Sequence, residues 1–326
     1  MRALVTGGAG FIGSHIVDTV LRESANEVVI FDNLSSGRST FIAAAARDPR
    51  CTFISGDLLD ADAVRRAMST AKPDIVFHLA ANPDIARGAL DPSLDFQQTV
   101  VATFHVLEAM RLARTPRLVF TSGSGVYGDH PEVATAETFG PLLPISMYGA
   151  SKLAAEAMIS SYAHMYGLTA YVFRFANVVG ARQTHGVAFD FIRKLRTNPR
   201  RLEVLGDGNQ SKSYVHVSDV VSAILFVLEK ESEPVNLYNV ATDDYVTVRW
   251  IADRVRELMQ LPHAELAFAG GARGWSGDVP VVRFDLSKIH GLGWAARLSS
   301  RDAIARSIAE MLSDPAGPSP MGDPQT

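Results

Sequence analysis

The chain has 326 residues, of which 47% are apolar, and its 31 Lys and Arg against 35 Asp and Glu give a net charge of −4. This composition is that of an ordinary globular protein, and the length suits one large α/β domain or two lobes that share a core. The charge balance gives no basic footprint for nucleic acid or an anionic membrane surface. No stretch approaches the roughly 20 apolar residues of a membrane-spanning helix, and glycines interrupt the apolar start as no signal peptide would. We therefore expect no nucleic-acid partner and no membrane partner.

Cysteine and histidine usage bears on two further kinds of site. Cys51 is the single cysteine, so no intrachain disulfide can form and the chain suits a reducing compartment. Its nine histidines include no pair at zinc-ligand spacing. We therefore predict a cytoplasmic protein without a metal site.

Short β-branched runs alternate with amphipathic stretches through the first half of the chain. Strand and helix in this rhythm are typical of right-handed βαβ units and a parallel sheet. We therefore predict an α/β fold with a doubly wound parallel sheet. The predicted strands cover residues 3–6, 27–31, 51–54, 74–79, 117–122 and 169–175, and the predicted helices residues 11–22, 61–68, 94–112 and 146–166.

After residue 176 the rhythm loosens and Gly and Pro become more frequent. We predict a first domain of residues 1–175, to which the chain returns near residues 214–242 with a strand near 235–240. A smaller, interleaved C-terminal substrate lobe covers 176–213 and 243–313. The Pro-rich residues 314–326 are predicted to be disordered. The helices predicted in this half cover residues 189–196, 217–230, 247–259 and 300–312.

The first predicted strand runs into the glycine-rich motif TGGAGFIG, residues 6–13. Gly7, Gly10 and Gly13 let the chain turn sharply, let the backbone approach a pyrophosphate and let the helix pack closely on the strand. The pyrophosphate then meets free N–H groups at the positive end of the helix dipole. The motif, with Phe11 and Ile12, predicts a Rossmann-type dinucleotide site.

Asp32 ends the second predicted strand, nineteen residues after Gly13. A carboxylate there accepts hydrogen bonds from an adenosine ribose and repels a 2′-phosphate, which favours NAD over NADP. The alternatives are a turn aspartate, or an NADP site in which nearby Arg38 accommodates the phosphate. The turn adds further predicted cofactor contacts, Asn33, Ser35, Ser36 and Gly37.

Two more strand ends point to the same edge of the sheet. Asp57 follows the third strand, where it could accept the adenine amino group. His78 closes the fourth strand, and we interpret it as a packed, hydrogen-bonded histidine and not as a catalyst. The remaining predicted cofactor contacts at these ends are Leu58, Leu79, Ala80 and Ala81.

The segment YGASK, residues 148–152, is the second strong signal. Tyr148 and Lys152 are four residues apart on a predicted helix, so they share one face. A lysine ammonium beside a phenol lowers the phenol pKa and makes it a usable general base. The alternative is a surface Tyr and Lys on an amphipathic helix.

These motifs, together with GDL, HLAA, VYG and RFANVVG, resemble the extended short-chain dehydrogenase/reductases, and among them the UDP-galactose 4-epimerase group. The likeness covers roughly residues 2–312. It implies a tightly held NAD, a nucleotide-diphospho-sugar substrate and a homodimer packed through helices near 94–112 and 147–166. It also places Gln98, Ser122, Ala176, Tyr148 and Lys152 at the cofactor.

In the reaction that the resemblance implies, Tyr148 takes the proton of the sugar 4-hydroxyl while C4 gives a hydride to NAD. The keto-sugar then turns over and the hydride returns to its other face. Lys152 holds the nicotinamide ribose, and Lys212 and Arg273 are candidates for the phosphates, or are solvated surface charges. The substrate contacts implied by the resemblance are Asn82, Asn177, His185, Gly186, Val187, Glu203, Val204, Leu205, Lys212, Arg273 and Asp278.

The chain departs from the family at position 123, where a Ser or Thr usually meets the reacting hydroxyl and Gly123 stands here. Ser124, Ser122 or a water molecule could substitute; we prefer Ser124 as a catalytic and substrate-binding residue. Gln98-Thr99 stands where the family usually has a pair of asparagines. The carboxylates that sugar-nucleotide dehydratases and decarboxylases carry before VYG are replaced by Ser124-Gly125, which disfavours both reactions.

The leading hypothesis is therefore NAD-dependent C4 epimerisation, with UDP-glucose and UDP-galactose as the default pair. The altered position 123 keeps other sugar nucleotides open, namely ADP- or GDP-linked heptoses and hexoses or UDP-uronates. A non-catalytic NAD(H)-binding regulator is the alternative from another class. Tyr148 and Lys152 argue against it, because a sensor needs neither.

Overall fold

A computed structural model describes residues 1–82, 85–275, 277–314 and 317–320. The strands are β1 (Arg2–Thr6), β2 (Glu27–Asp32), β3 (Cys51–Ser55), β4 (Ile75–His78), β5 (Arg117–Gly123), β6 (Thr169–Phe175), β7 (Asn177–Val179), β8 (Arg201–Val204), β9 (Ser211–Lys212), β10 (Tyr214–His216), β11 (Val235–Val240), β12 (Val246–Thr247) and β13 (Glu265–Phe268). The helices are α1 (Phe11–Val20), α2 (Ala61–Ala71), α3 (Ile85–Leu90), α4 (Pro92–Asp95), α5 (Ala102–Ala113), α6 (Met147–Tyr166), α7 (Val187–Thr197), α8 (Val217–Lys230), α9 (Val248–Leu258), α10 (Ser287–Leu292) and α11 (Ser300–Ser313).

A seven-stranded sheet in the order β11-β6-β5-β4-β1-β2-β3 forms the centre of the molecule. Every pairing in it is parallel. The strand order reverses between β1 and β4, and ligands of such sheets bind at this switch point, beyond the carboxyl ends of the strands. The predicted Rossmann-type α/β fold is confirmed.

Helices cover both faces of this sheet, which explains why its strands are almost continuously apolar. One face packs on α1 and α8, and the other on α2, α5 and α6. A third apolar cluster lies apart from both and is built by α7, α9, α11 and β8. Packing on both faces thus fixes the carboxyl ends of the sheet strands. The third cluster supports the C-terminal segments that lie opposite these ends.

The helix predicted over 94–112 is interrupted. It consists of α4, a π-helical segment Phe96–Val101 and α5. A π-helical turn widens the helix locally and is common at functional sites. Here it carries Gln98 to the edge of the sheet where the cavity lies.

Part of the predicted disordered tail lies outside the described residues, namely 315–316 and 321–326. In the described part, Arg196 Nη1 of α7 donates a hydrogen bond to the Pro318 carbonyl oxygen. Gly317 N donates to the Asp314 carbonyl oxygen at 2.9 Å. This part therefore contacts the chain body.

Two searches over the described ranges give negative results. No helix there is both long and apolar enough to span a membrane. No group of three or more His, Cys, Asp and Glu side chains there is placed to hold a metal ion.

Candidate active site

A cavity of about 710 Å³ runs along the carboxyl ends of the sheet strands. It extends from the turn after β1 to the loop that includes Gly274 and Asp278. Ligand sites typically have volumes of roughly 300–1,000 Å³. This cavity has that size and lies at the switch point of the sheet.

The turn between β1 and α1 is shaped by close backbone contacts that only glycine allows. Gly7 has a φ of +69°, and a Cβ on it would lie 2.7 Å from the Ala80 nitrogen. A Cβ on Gly13 would lie 2.1 Å from the Gly7 carbonyl oxygen. Gly10 N donates to this same oxygen at 3.0 Å. The turn therefore brings backbone N–H groups and the start of α1 to the cavity, which fits a pyrophosphate.

Asp32 lies at the end of β2, 8% exposed. Its Oδ2 accepts from Ala9 N at 3.0 Å and its Oδ1 from Leu34 N at 2.8 Å. A carboxylate has about four lone-pair sites, so both oxygens can still accept the hydroxyls of a ribose. Asp57, at the end of β3, accepts from Asn33 Nδ2 at 3.0 Å, and all three side chains border the cavity.

His78 is fully buried beneath the cavity. Its Nδ1 lies 2.7 Å from Thr6 Oγ1 and its Nε2 3.0 Å from Thr103 Oγ1. Burial, with the charge of Lys152 nearby, lowers the pKa of His78 to about 3. It is a neutral, packed histidine, as predicted from the sequence.

Tyr148 and Lys152 lie in the first turns of α6, which begins at the N-cap Ser146. The Lys152 ammonium is 5.7 Å from the centroid of the Tyr148 ring and 4.8 Å from that of Phe120. It donates to the Thr121 carbonyl oxygen at 2.8 Å. The two side chains thus share one face of the helix, as the spacing predicts.

The expectation that Lys152 lowers the phenol pKa is wrong for the protein without ligands. Burial, reinforced by the charge of Asp95, raises the pKa of Tyr148 to about 12. Burial also lowers the pKa of Lys152 to about 8, against smaller opposite effects of Glu156 and Asp95. Desolvation disfavours the charged form of each group, and it is the largest cause of both shifts.

Position 123 and its neighbours form the cavity wall beside Tyr148. Gly123 ends β5, and Ser124 begins a short 3₁₀ turn, Ser124–Val126. Ser122 is 4% exposed, and its hydroxyl has no hydrogen-bond partner in the described part of the chain. Both serines border the cavity.

The predicted phosphate ligands at the far end are engaged with carboxylates. Lys212 Nζ lies 2.7 Å from Asp278 Oδ1, and Asp278 Oδ2 accepts from Gly274 N at 3.1 Å. Lys212 and Asp278 both border the cavity, so an anionic ligand there would meet a lysine whose positive charge is partly neutralised by Asp278.

Three predicted substrate contacts lie outside the cavity. Arg273 donates to Asp129 Oδ2 at 2.6 Å and to the Asp278 carbonyl oxygen at 2.9 Å, which holds its guanidinium away. Side chains alternate along β8, so Val204 is fully buried in the third cluster while Glu203 faces solvent.

The other predicted site residues all border the cavity. At the cofactor end these are Gly7, Gly10, Phe11, Ile12, Gly13, Asp32, Asn33, Ser35, Ser36, Gly37, Asp57, Leu58, Leu79, Ala80, Ala81, Gln98, Ser122 and Ala176. At the sugar end they are Asn82, Ser124, Tyr148, Lys152, Asn177, His185, Gly186, Val187, Leu205, Lys212 and Asp278.

Sequence reasoning missed several polar and aromatic lining residues, and also the buried Asp95, which accepts from Asn82 Nδ2 at 2.9 Å. The missed lining residues include Gln183, Thr184, Asp190, Gln210, Tyr214 and Trp275. Most lie close in sequence to predicted ones, and that proximity is the one signal that could have found them.

The chain is similar to known proteins along most of its length. The model of the NAD dependent epimerase/dehydratase family matches residues 3–241. A UDP-glucose 4-epimerase from Mycolicibacterium smegmatis is 34% identical over 324 residues, covering 94% of this chain and 97% of the relative. A crystal structure of a UDP-galactose 4-epimerase has a TM-score of 0.85 at 40% identity, covering 96% of this chain and 99% of the other. The Thermus thermophilus UDP-glucose 4-epimerase in complex with NAD has a TM-score of 0.84 at 32% identity, covering 95% and 98%.

Proposed function

Because this chain belongs to the NAD-dependent epimerase/dehydratase family, we propose that it interconverts the C4 epimers of a nucleotide-diphospho-sugar, with UDP-glucose and UDP-galactose as the default pair. One observation carries the proposal. A single cavity joins a dinucleotide cradle to a Tyr148–Lys152 pair on one helix face. Epimerisation at C4 needs those two components, a hydride acceptor and one proton acceptor.

The residues at the first end of the cavity fit NAD. Gly7, Gly10 and Gly13 would hold the pyrophosphate at the start of α1, and Asp32 the adenosine ribose. Ser122, whose buried hydroxyl has no partner among the described residues, would bind near the nicotinamide end. When bound, NAD accepts a hydride from C4 of the sugar and returns it to the opposite face.

Tyr148 moves the proton in this proposal. Its Oη accepts the proton of the 4-hydroxyl as C4 is oxidised, and returns it when C4 is reduced. The Lys152 ammonium, fixed by the Thr121 carbonyl oxygen, stabilises the phenolate. Since the phenol pKa is raised to about 12 without ligands, the positive charge of a bound nicotinamide must supply part of the stabilisation.

The positions of the carboxylates that border the cavity argue against dehydration and decarboxylation. Dehydration needs an acid and a base beside the tyrosine. Asp32 and Asp57 bind backbone and side-chain donors at the adenosine end. Asp190 pairs with Lys194 and Asp278 with Lys212. The four carboxylates among the described lining residues are thus engaged with other groups, which favours epimerisation over dehydration.

For the substrate diphosphate, the proposal uses Asn177 and Lys212. Asn177 is exposed at the cavity, where its Nδ2 donates to the Ser213 carbonyl oxygen at 3.3 Å. Lys212 would exchange part of its pairing with Asp278 for a phosphate oxygen, which is a charge-assisted contact of similar strength. Arg273 would have to leave Asp129 to join them.

We also propose a homodimer that packs through α5 and α6. These helices and the π-helical segment expose large apolar side chains, including Phe96 (52%), Phe104 (45%), Leu112 (57%) and Met165 (68%). Exposed apolar side chains of this size on two helices that contact each other favour association. Sedimentation at micromolar concentration should give a dimer, and Phe104→Glu a monomer; a wild-type monomer would refute the proposal.

A cytoplasmic location is part of the proposal. It is supported by the single cysteine, Cys51, whose partly buried thiol has a pKa raised to about 11 by desolvation. Such a thiol is inert and needs no oxidising compartment.

The test is turnover of a panel of nucleotide-diphospho-sugars without added cofactor, followed by proton NMR of the anomeric region. Appearance of the C4 epimer from one donor supports the proposal and identifies the sugar. If NAD is bound and no donor in a panel of UDP-, ADP- and GDP-linked hexoses, heptoses and uronates is converted, the proposal is wrong.

A further inference from the structure

Gly123 lies at the end of β5 beside the Tyr148 hydroxyl, and its backbone does not require glycine. Its φ of −160° and ψ of 171° are extended, a conformation that any residue adopts. A Cβ on Gly123 would have Tyr148 Oη, Tyr148 Cε1 and the Phe175 carbonyl oxygen as its nearest atoms, each 3.9 Å away. That is an ordinary van der Waals separation, so the protein has room for a side chain here.

Two neighbouring glycines differ in this respect. A Cβ on Gly149 would lie 2.4 Å from the Gly125 carbonyl oxygen, and one on Gly125 3.4 Å from Gly149 Cα. Helix α6 approaches the turn after β5 at these two residues, so glycine is needed at position 149, and a side chain at position 125 would touch the helix backbone. Gly123 takes no part in this contact. The space that a small side chain at position 123 would fill, between Tyr148 Oη and the Phe175 carbonyl oxygen, is called the Gly123 notch below.

The atoms around the Gly123 notch favour a neutral polar occupant. The Phe175 carbonyl oxygen is an acceptor, and the Tyr148 hydroxyl can both donate and accept. A group that both donates and accepts hydrogen bonds suits these neighbours. An anion does not, because a negative charge beside Tyr148 would raise a phenol pKa that burial already raises to about 12.

We propose that the Gly123 notch selects the sugar: the substrate carries, at C3 or C5 beside the reacting C4, a neutral hydrogen-bonding substituent larger than the hydroxyl and hydroxymethyl groups of glucose, and this substituent enters the notch. The inference rests on the proposed function, because it places the C4 hydroxyl at Tyr148 Oη, and it puts a larger sugar in place of the default glucose and galactose pair. Two sugar classes have this chemistry: heptoses, whose chain at C5 is longer by one CHOH unit, and hexoses with an acylamino group at C3. The difference between Gly and Ser side chains, one CH₂OH group, matches the size of the extra CHOH unit.

The test compares wild-type holoenzyme with Gly123→Ser and Gly123→Ala. The kcat/KM of each is measured by proton NMR on three donors that share one nucleotide: a glucose, a heptose and a 3-acylamino-hexose. We expect the wild type to prefer one of the two larger sugars over glucose by about tenfold or more, the discrimination that one fitted group supplies. Gly123→Ser should lower kcat/KM for that sugar by about tenfold or more and keep or raise it for glucose. Which larger sugar responds identifies the class.

A matched control narrows the cavity elsewhere. Gly274 borders the cavity at the Lys212–Asp278 end, and a Cβ on it would lie 3.4 Å from Asp278 Oδ2. Gly274→Ala should change kcat/KM for all three donors by one common factor. Bound NAD and the melting temperature establish that each variant is folded.

Three outcomes overturn the inference. If Gly123→Ser changes kcat/KM for all donors by the same factor, the notch does not select the sugar. A wild-type preference for glucose over both larger sugars contradicts it directly. A preference for a uronate that Gly123→Ser removes contradicts the neutral occupant. All three require that wild type epimerises a donor, whereas failure of the proposed function shows as no epimerisation at all.

Discussion

The cofactor end and the sugar end of the cavity are built in different ways. At the cofactor end, one eight-residue motif and Asp32 form a cradle in which a Cβ on Gly13 would meet backbone at 2.1 Å. At the sugar end the wall comes from segments far apart in the chain, and a Cβ on Gly123 would meet nothing closer than 3.9 Å. The first end is therefore determined by backbone sterics, and the second by the choice of side chains. Substitutions at the first should damage folding and cofactor binding, and those at the second chemistry and selectivity.

The largest effect is expected at the sugar end, from Tyr148→Phe. Loss of the hydroxyl that accepts the substrate proton should lower kcat by about 10²–10⁴-fold, while bound NAD, measured by absorbance after denaturation, is retained. Tyr171→Phe is the matched control, since its hydroxyl only donates to the Glu231 carbonyl oxygen at 2.9 Å. It should keep kcat and lose about 1 kcal/mol of stability. An unchanged kcat in Tyr148→Phe would remove the base from the mechanism.

Gly13→Ala tests the other side of the comparison. The added Cβ collides with the Gly7 carbonyl oxygen, so we expect a loss of about 1–3 kcal/mol of stability and loss of resident NAD. The measurements are the melting temperature and the NAD content. Gly291→Ala, whose Cβ would meet no atom within 4 Å, should leave both unharmed. Retention of NAD and of the melting temperature in Gly13→Ala would mean that the turn is not sterically determined.

Asp32→Asn should change cofactor choice and cost some stability. The change keeps the size of the side chain and removes the charge proposed to bind the ribose and repel a 2′-phosphate, but it leaves one acceptor oxygen for the N–H groups of Ala9 and Leu34. Hydrogen bonds to a charged group contribute about 1.5–3 kcal/mol, so NAD should bind about 10- to 100-fold more weakly while NADP gains. Isothermal titration of apoprotein with both dinucleotides measures this. An unaltered ratio of the two affinities would refute the ribose role.

The smallest effect concerns pH. The proposed mechanism needs the Tyr148 phenolate together with the Lys152 ammonium, and without ligands their pKa values are about 12 and about 8. This combination has lost one proton from the fully protonated pair, so its population rises with pH up to about 8 and is then constant until about 12. We expect kcat/KM to rise about tenfold per pH unit and to level off at or below pH 8, because a bound nicotinamide moves the bend to lower pH. A continued rise above pH 9 would contradict this assignment of charges.

The same contrast explains what the sequence could predict. The strands and the glycine turn follow from local apolar runs and from a motif, and they agree with the structure to within one or two residues. The position of Asp32 at the cavity follows from its separation from Gly13 in the sequence, nineteen residues. These features depend on interactions between near neighbours in the chain, or on the regular pattern of the sheet.

The features that the sequence could not predict depend on long-range contacts. Arg273 is held by Asp129, 144 residues earlier, and Lys212 by Asp278, 66 residues later. The raised phenol pKa of Tyr148 depends on burial and on Asp95, a residue of α4. No local pattern in the sequence reports such pairs. The spacing predicts the helix face of Lys152 correctly. It also predicts a lowered pKa for Tyr148, which is wrong because spacing does not report desolvation.

The measurement that tests the central claim most directly is conversion of the donor in D₂O, with the product analysed by NMR at every ring carbon. If C4 is oxidised and reduced by the same resident NAD while Tyr148 Oη moves only the hydroxyl proton, the new epimer should carry no deuterium on any ring carbon. Deuterium at C4 would show that solvent supplies the returning hydrogen. Deuterium at C5 would show removal of a C–H proton next to the ketone, as dehydration requires, and either result would contradict the account.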